Sequence, residues 1–379
     1  MNLDFNEDQE ILRSSAKNFL EKECPKDLVR KIEESEEGYS PEVWNKMIEL
    51  GWTGIAFPEE YGGYGGDFMN LIVLMEEMGR NILPSPFFST VVLCGLTILE
   101  GGTEEQKKEY LEKIAIGEII MSLALYEPNA SYNASGITVS ATPKDDGYVI
   151  NGTKMFVNDA NIADYLLVVA RTEDTGNPEE GVTIFLVDAK ASSGITCNKV
   201  PTMGLDNSCE VIFDNFSVPK SNIIGEEAGK AWKVIQKSSE KSIMAKCAEM
   251  VGGSQASLDM TNAYAKERVQ YRQPIGKFQV IQHYLADMMI KVGNSRNILY
   301  EVAWMVGQNI PCAMKVSTAK SWINEAYKFV TERGVQIHGG IGTTRECDIG
   351  LYYRRAKAAE LILGDTGHHL EKIAQEIGL

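Results

Sequence analysis

The hydrophobic positions in the first third of the chain recur every three or four residues, which is the spacing of amphipathic helices. Asn6 and Gln9 fit a helix-capping box at the start of this region. The apolar positions that follow on one face are Ile11, Leu12, Ala16, Phe19 and Leu20. Similar spacing predicts helices over 41–50 and 69–78, with the glycine-rich loop "FPEEYGGYGGDF" between them. We therefore predict an N-terminal helical domain over residues 1–120.

Between residues 120 and 228 the period of the apolar positions falls to two, which is typical of half-buried strands. Four segments rich in β-branched and aromatic residues carry this pattern: "GYVINGTKMFV", "DYLLVVART", "GVTIFLVDA" and "CEVIFDNFSV". Turn clusters such as "KDDG" and "DTGNPEEG" separate the segments. The pattern predicts a small middle β domain over residues 121–228.

The helical period returns after Gly225 and continues to the end of the chain. Four stretches are long enough for bundle helices: "EMVGGSQASLDMTNAYAKERVQY", "VIQHYLADMMIKVGNSRNILYEVAWMV", "CAMKVSTAKSWINEAYKFVTERGVQIHGG" and "LYYRRAKAAELIL". They predict a C-terminal helical bundle over residues 229–379. The order helical, β, helical indicates an α+β protein of three domains.

Charge and composition narrow the classes of partner. The 379 residues carry a formal charge of -16, with 53 acidic and 37 basic side chains, so nucleic acid is not expected as a general partner. The N-terminus has neither a basic region nor a continuous apolar core, and no window is apolar enough to cross a membrane. The seven cysteines are scattered singly. We expect a soluble, cytoplasmic protein with reduced thiols.

Two common types of site are not supported by the sequence. His368 and His369 are adjacent, so on a helix their side chains diverge by about 100° and cannot chelate one metal ion as an i, i+4 pair does. The motifs "GGIG" at 339–342 and "YGGYGG" at 61–66 lack the preceding strand and following helix of a dinucleotide fingerprint. We therefore expect neither a metal site nor a Rossmann domain.

Five segments stand in a fixed order along the chain: "LYEP" at 125–128, "INGTKMFVND" at 150–159, "AKERVQYRQPIGKFQVIQH" at 265–283, "GVQIHGGIG" at 334–342 and "YYRRAKAAELILGD" at 352–365. Through these segments the chain resembles the acyl-CoA dehydrogenase family over essentially its whole length. The resemblance implies FAD between the middle β domain and a C-terminal four-helix bundle, with a neighbouring subunit completing the site. It also implies an acyl-CoA substrate and assembly as a homotetramer.

The resemblance assigns cofactor-binding roles to two groups of residues. Tyr126, Phe156 and Asn158 are placed beside the flavin, and Asp365 aligns with a position that usually contacts FAD. The nucleotide end is assigned to Arg268, Tyr271, Gln279, Gln336, Gly339 and Gly340. Arg268 suits the pyrophosphate as a bidentate cation, and the glycines permit close backbone approach. The sequence departs from the family at Tyr126, the usual first residue of a "TEP" element, and at Phe156, the usual flavin-stacking tryptophan.

The resemblance also raises the question of the catalytic base. The family removes a proton next to a thioester carbonyl and transfers a hydride to flavin N5. Aligning "RRAK" at 354–357 places the basic glutamate of the family at Leu363, which keeps the carbonyl-polarising backbone N–H but has no carboxylate. The position that some relatives use instead falls at Ser242. Glu249, two helical turns after Ser242, and Asp365 are the remaining candidates for the proton acceptor.

Three interpretations of this departure remain open. The chain is an active dehydrogenase with a relocated base, acting on an alicyclic substrate such as cyclohexane- or cyclohexene-carboxyl-CoA. Alternatively, it is the flavin-binding partner subunit of a heteromeric dehydrogenase, or a non-catalytic acyl-CoA-binding or flavin-binding module. Because no cysteine cluster suits an iron–sulfur centre, electrons are expected to leave to a diffusible acceptor such as an electron-transfer flavoprotein.

Overall fold

The computed structural model describes residues 5–65 and 67–379. Helices form both ends of the chain and strands form its middle, which confirms the α+β fold class. The N-terminal helices are α1 (Glu7–Glu23), α2 (Lys26–Glu33), α3 (Pro41–Glu49), α4 (Phe68–Asn81), α5 (Leu96–Gly101), α6 (Glu104–Gln106) and α7 (Glu112–Ala115). The predicted capping box is present, because the Gln9 backbone N–H donates to the Asn6 side chain at 2.9 Å and the Asn6 N–H donates back at 3.1 Å.

The middle region forms one mixed sheet. Its strands are β1 (Met121–Ala124), β2 (Ser140–Lys144), β3 (Gly147–Asn158), β4 (Tyr165–Arg171), β5 (Val182–Asp188), β6 (Ile195–Lys199) and β7 (Ser208–Pro219). The order is β1-β4-β2-β3-β7-β6, with β5 paired to β4. The four predicted strand segments correspond to β3, β4, β5 and β7, whereas β1, β2 and β6 were not predicted. Apart from β1 and β4 and one bridge between β2 and β4, the pairs are antiparallel.

A β-bulge interrupts the pairing of β3 with β7 between Lys154 and Val157. Phe156 lies in this bulge with a left-handed backbone (φ 55°) and a side chain that is 52% exposed. Bulges redirect side chains and occur often beside functional sites. Here the bulge turns an aromatic ring outward at the end of β3.

The C-terminal region consists of α8 (Ala231–Glu267), α9 (Gln279–Gly307), α10 (Ala313–His338), α11 (Ile349–Leu361) and α12 (Thr366–Glu376). A short hairpin of β8 (Val269–Gln270) and β9 (Gln273–Pro274) connects α8 to α9. The sequence stretch that suggested α8 begins at Glu249, but the helix begins at Ala231. Serines occupy part of its buried face and hide the apolar period. The Ser242 hydroxyl, for example, donates to the Ser238 carbonyl at 3.0 Å.

A buried ion pair fixes the segment after β1 onto β3. Lys154 Nζ lies 2.7 Å from Glu127 Oε1, with side chains 0% and 2% exposed. Glu127 also accepts hydrogen bonds from the backbone N–H groups of Thr138 (2.8 Å) and Val139 (3.0 Å), and Lys154 donates to the Leu125 carbonyl (3.0 Å). These bonds hold the "YEP" segment in place.

Within residues 5–65 and 67–379, no helix is both long enough and apolar enough to span a membrane.

Candidate active site

A cavity of about 850 Å³ lies between the sheet and the C-terminal helices, and we call it the outer cavity. Tyr126 and Tyr132 line it from the segment after β1, Ile243 from α8, and Leu363 and His368 from the α11–α12 region. The structure thus brings together Tyr126 and Leu363, two residues predicted from sequence to belong to one site.

Two tyrosines connect opposite walls of the outer cavity, which is a crevice between the sheet and the C-terminal helices. The Tyr132 hydroxyl donates to the Leu361 carbonyl at 3.0 Å, and the Tyr132 ring centroid lies 5.0 Å from that of His368. The Tyr126 ring meets Tyr132 edge to face at 5.5 Å. Burial raises the pKa of Tyr126, while a hydrogen bond to the Leu363 backbone acts to lower it. We call Tyr126 and Tyr132, together with these contacts, the tyrosine bridge.

Leu363 occupies the turn between α11 and α12 and is 8% exposed. Its backbone is left-handed (φ 59°), a conformation that costs a residue other than glycine about 1–3 kcal/mol. The Leu363 carbonyl lies 3.0 Å from His369 Nε2. Packing and this contact therefore hold Leu363 in the left-handed conformation, although it is not a glycine.

The other position considered for a base also has no carboxylate. Ser242 is 2% exposed, and its hydroxyl is hydrogen bonded to Ser238 within α8. Asp365, a sequence candidate for both the base and an FAD contact, caps α12 by accepting the His368 backbone N–H at 2.8 Å. Its side chain therefore has a structural role in this arrangement.

A second, smaller cavity of about 100 Å³ is lined by Ile362, the residue before Leu363, and we call it the inner cavity. The lining residues used below are Phe88, Ser89, Asn158, Asp159, Lys246, Glu249 and Ile362. Glu249 accepts a hydrogen bond from Lys246 Nζ at 2.5 Å, and the same ammonium group lies 3.9 Å from the Phe88 ring centroid. The sequence candidate Glu249 is thus close to the site but is paired with a cation.

Asp159 is a carboxylate of the inner cavity that sequence reasoning missed. It accepts hydrogen bonds from Ser89 Oγ at 2.6 Å and Asn207 Nδ2 at 3.2 Å, and it is 7% exposed. Burial raises the pKa of Asp159 to about 6, although both hydrogen bonds act to lower it. No local pattern indicated this residue, because its partners lie 70 and 48 residues away along the chain.

Asp159→Asn is expected to flatten the pH dependence of stability in mild acid. The pKa in the folded state, about 6, lies above the ordinary value of 3.8, so the folded protein retains a proton that the unfolded chain releases. Stability therefore falls as pH rises through this window, and the amide removes that slope. Urea denaturation at about pH 4.5 and about pH 7 measures the effect. Equal slopes for wild type and variant would contradict it.

The residues predicted to hold the nucleotide end lie on the surface at one end of the bundle. We call this set the nucleotide half-site: Arg268, Tyr271, Gln279, Gln336, Gly339 and Gly340. Tyr264 joins its two segments, because its ring stacks on His338 at 4.3 Å and its hydroxyl donates to the His338 carbonyl at 3.4 Å. Tyr271 is 89% exposed, and a Cβ added to Gly339 or Gly340 would meet no atom of the described residues within 4 Å. The surface is open to a ligand.

The nucleotide half-site is far from the crevice of the same chain. Arg268 directly follows α8, whereas Ile243 lies in the first half of that helix and lines the outer cavity. The twenty-five residues between them span about 38 Å at the helical rise per residue. An extended flavin dinucleotide is shorter than this. The crevice and the half-site of one chain are therefore too far apart for one such molecule to span both.

Three domain models of one family match the chain in order. They describe the acyl-CoA dehydrogenase N-terminal domain at residues 6–118, the middle domain at 122–216 and the C-terminal domain at 229–378. The chain belongs to the acyl-CoA dehydrogenase family. Acyl-CoA dehydrogenases are flavin-dependent oxidoreductases of CH–CH bonds, and their cofactor is FAD.

Curated relatives align along nearly the whole chain. The caffeyl-CoA reductase–Etf complex subunit CarC of Acetobacterium woodii is 32% identical over 367 residues, which is 96% of both chains. The short-chain-specific acyl-CoA dehydrogenase of Clostridium acetobutylicum is 32% identical over 374 residues, covering 96% of this chain and 97% of that one.

Solved structures also align with nearly the whole chain. Butyryl-CoA dehydrogenase of Megasphaera elsdenii matches with a TM-score of 0.91 and 30% identity over 100% of both chains. A chain of the ChsE4–ChsE5 complex of Mycobacterium tuberculosis matches with a TM-score of 0.90 and 26% identity, covering 100% of this chain and 99% of that one.

The residues of this chain that would contact the FAD of an acyl-CoA dehydrogenase lie in two separate places. The nucleotide half-site offers an exposed guanidinium and open glycine backbone, which suit a pyrophosphate and its closely approaching nucleotide. In the crevice, by contrast, the tyrosine bridge connects the walls, and the Leu363 backbone is already engaged by Tyr126. A flavin bound in the crevice would have to displace the Tyr132 hydroxyl from the Leu361 carbonyl.

Proposed function

We propose that the chain functions in the flavin-dependent dehydrogenation of an acyl-CoA by completing the nucleotide end of a neighbouring subunit's FAD site. One observation carries the proposal: the nucleotide half-site is exposed about 38 Å from the crevice of its own chain. A surface built for a dinucleotide at that distance serves another subunit.

The chemistry of the half-site suits the diphosphate and nucleotide portion of FAD. Arg268 can donate two parallel hydrogen bonds to phosphate oxygens. Gly339 has a left-handed backbone (φ 67°), and with Gly340 it leaves main-chain groups accessible. Tyr271 offers an exposed ring against which an adenosine group can pack.

The proposal extends to the electron acceptor and the cellular context. The relative CarC is named as a subunit of a complex with Etf, an electron-transfer flavoprotein. We propose an acceptor of the same kind for this protein, and a cytoplasmic location. The tetrameric assembly remains part of the proposal, since a donated half-site requires at least one neighbour.

A second candidate function is dehydrogenation of an alicyclic acyl-CoA by this chain alone. The inner cavity favours it, because Asp159 and Glu249 both line that cavity beside Ile362. A pKa of about 6 would let Asp159 accept a proton near neutral pH. If this candidate is correct, cyclohexane-carboxyl-CoA bleaches the flavin of the purified chain and Asp159→Asn abolishes the bleaching.

Arg268→Ala is expected to weaken FAD binding by the purified native assembly about ten- to a hundredfold, because a charge-assisted contact to phosphate is lost. Flavin absorbance of the purified assembly, followed by titration with added FAD, measures the change. Lys266→Ala is the matched control, since Lys266 is an exposed cation two residues earlier on α8. Unchanged FAD affinity in Arg268→Ala would refute the donated half-site.

A further inference from the structure

Two cysteines meet across the edge of the sheet, and we call Cys197 and Cys209 the thiol pair. Strand β6 lies at the sheet edge and pairs antiparallel with β7, so that Cys197 stands opposite Val211. Cys209 lies two residues before Val211 on β7 and therefore on the same face of the sheet. The two cysteines are thus diagonal neighbours across one strand pair. A side-chain hydrogen bond between the two thiols raises the pKa of Cys197 and lowers that of Cys209.

The members of the thiol pair differ in exposure and in acidity. Cys197 is exposed to solvent, whereas Cys209 is buried. Burial raises the pKa of Cys209, but the hydrogen bond from the neighbouring thiol outweighs it, and the ammonium group of Lys199 directly opposite also acts to lower that pKa. An oxidant can therefore reach Cys197, and the thiol beside it is the one that ionises more readily and attacks as a nucleophile.

The thiol pair lies at the base of a loop that forms part of the wall of the inner cavity. Residues 200–207 connect β6 to β7, and the last three of them line that cavity. The Cys209 thiol donates to Asn161 Oδ1 at 3.7 Å, and the same oxygen accepts a hydrogen bond from Asn207 Nδ2 at 2.7 Å. Asn207 Nδ2 lies 3.2 Å from Asp159 Oδ1 as well. Hydrogen bonds therefore connect the thiol pair to the buried carboxylate of the inner cavity.

We propose that Cys197 and Cys209 form a reversible redox-modification site, and that their disulfide restrains the 200–207 loop at the wall of the inner cavity. Hydrogen peroxide oxidises the exposed Cys197 thiol to a sulfenic acid and is itself reduced to water. The Cys209 sulfur then attacks the Cys197 sulfur, and the sulfenic hydroxyl leaves as a second water with the proton of the Cys209 thiol. Two thiols and one peroxide thus give one disulfide and two waters, and a dithiol reductant reverses the change. None of these residues belongs to the nucleotide half-site, so the inference is independent of the proposed function.

Formation of the disulfide requires a small movement of β6. Diagonal neighbours on paired strands have Cα atoms about 7–8 Å apart, whereas the Cα atoms of a disulfide are usually at most about 6.8 Å apart. Strand β6 can move because it lies at the sheet edge and its residues after Ile195 are exposed. The movement reaches the loop directly, because the Val200 backbone N–H donates to the Ser208 carbonyl at 2.8 Å at the base of the loop.

The first experiment tests the disulfide itself. The reduced full-length chain is treated with hydrogen peroxide, its remaining thiols are alkylated, and its tryptic peptides are mapped by mass spectrometry without reduction. Trypsin cleaves after Lys199, so Cys197 and Cys209 fall in different peptides. We expect these two peptides to become linked with the loss of two hydrogen atoms, and dithiothreitol to separate them again.

Two variants control the peptide mapping. Cys197→Ser changes the exposed member of the pair and should leave Cys209 reduced after the same treatment. Cys347→Ser removes a partly exposed thiol elsewhere in the chain and should leave the linked peptides unchanged. Oxidation of Cys197 to a sulfinic acid while Cys209 stays reduced, or linkage of Cys197 to another cysteine, would overturn the inference.

The second experiment tests the effect on the cavity wall. Amide hydrogen exchange of residues 200–207 is compared between the reduced chain and the chain shown to carry the disulfide. We expect exchange in this loop to slow about tenfold on oxidation, because the cross-link removes open conformations of the segment between the two cysteines. Peroxide-treated Cys197→Ser should exchange at the rate of the reduced wild type. Unchanged exchange in the loop of the disulfide-bonded chain would overturn the link between the thiol pair and the inner cavity.

Discussion

Leu363→Glu, combined with Tyr126→Thr and Tyr132→Ser, is expected to give this chain acyl-CoA dehydrogenation of its own. The two tyrosine substitutions free the crevice and the Leu363 backbone N–H. The glutamate then starts from a peptide that already has the strained left-handed backbone (φ 59°). General-base catalysis contributes about 10²–10⁴-fold, so this factor should separate variants with and without the carboxylate. The rate of flavin bleaching by butyryl-CoA under anaerobic conditions measures it.

The matched control for this prediction is Leu363→Gln in the same double-tyrosine background. Glutamine has the shape and polarity of glutamate but cannot accept the proton. Leu363→Glu alone should gain little, since Tyr126 still engages the backbone at position 363. Equal bleaching rates for the Glu and Gln triple variants would show that position 363 does not stand over the acidic carbon.

Glu127→Gln is expected to lower the free energy of unfolding by about 3–5 kcal/mol near pH 7, because it leaves Lys154 as an uncompensated buried charge. Burial already lowers the pKa of Lys154 to about 8 in the presence of Glu127. A folded-state pKa below that of the unfolded chain means that the unfolded chain binds more protons, so stability rises with pH. The variant should therefore recover part of its loss between about pH 7 and about pH 9. Urea denaturation across this range tests both statements.

Two variants serve as controls for the ion pair. Lys154→Met should cost less than Glu127→Gln, because Glu127 keeps hydrogen bonds from the backbone of Thr138 and Val139. Glu109→Gln breaks the exposed pair with Lys113 and should change stability by less than about 1 kcal/mol. A loss for Glu127→Gln no larger than that for Glu109→Gln would show that the buried pair does not stabilise the fold.

Local sequence patterns predicted much of the fold because their causes are local. The Asn6–Gln9 capping box involves neighbours three residues apart, and β4 and β5 are strongly apolar segments bounded by turns. β1 is only four residues long and is defined by parallel pairing with distant β4. Most of β6 is exposed, so it has no buried alternation to detect. Their formation depends on partners that a local pattern cannot identify.

The sequence predicted two residues that the structure brings to one cavity, but it did not predict the contacts around them. The family resemblance identified Tyr126 and Leu363, and the structure brings both to the outer cavity. It did not indicate Tyr132, whose bond to Leu361 joins positions 229 residues apart. Nor did it indicate that Lys246 would neutralise Glu249, although the two are only three residues apart on α8. The arrangement of charges around a cavity depends on packing between domains.

The buried pair of Glu127 and Lys154 has a consequence for the rate at which the crevice can open. Because Glu127 is tied to Thr138, Val139 and Lys154, the segment that carries Tyr126 cannot swing away as a loop without breaking several buried hydrogen bonds. Opening then depends on rotation of the tyrosine side chains, a motion that is intrinsically faster than the unfolding of a segment. A ligand therefore enters when the tyrosine side chains rotate, while the backbone around Tyr126 stays in place. The rate of entry depends on the lifetime of the hydrogen bond between the Tyr132 hydroxyl and the Leu361 carbonyl.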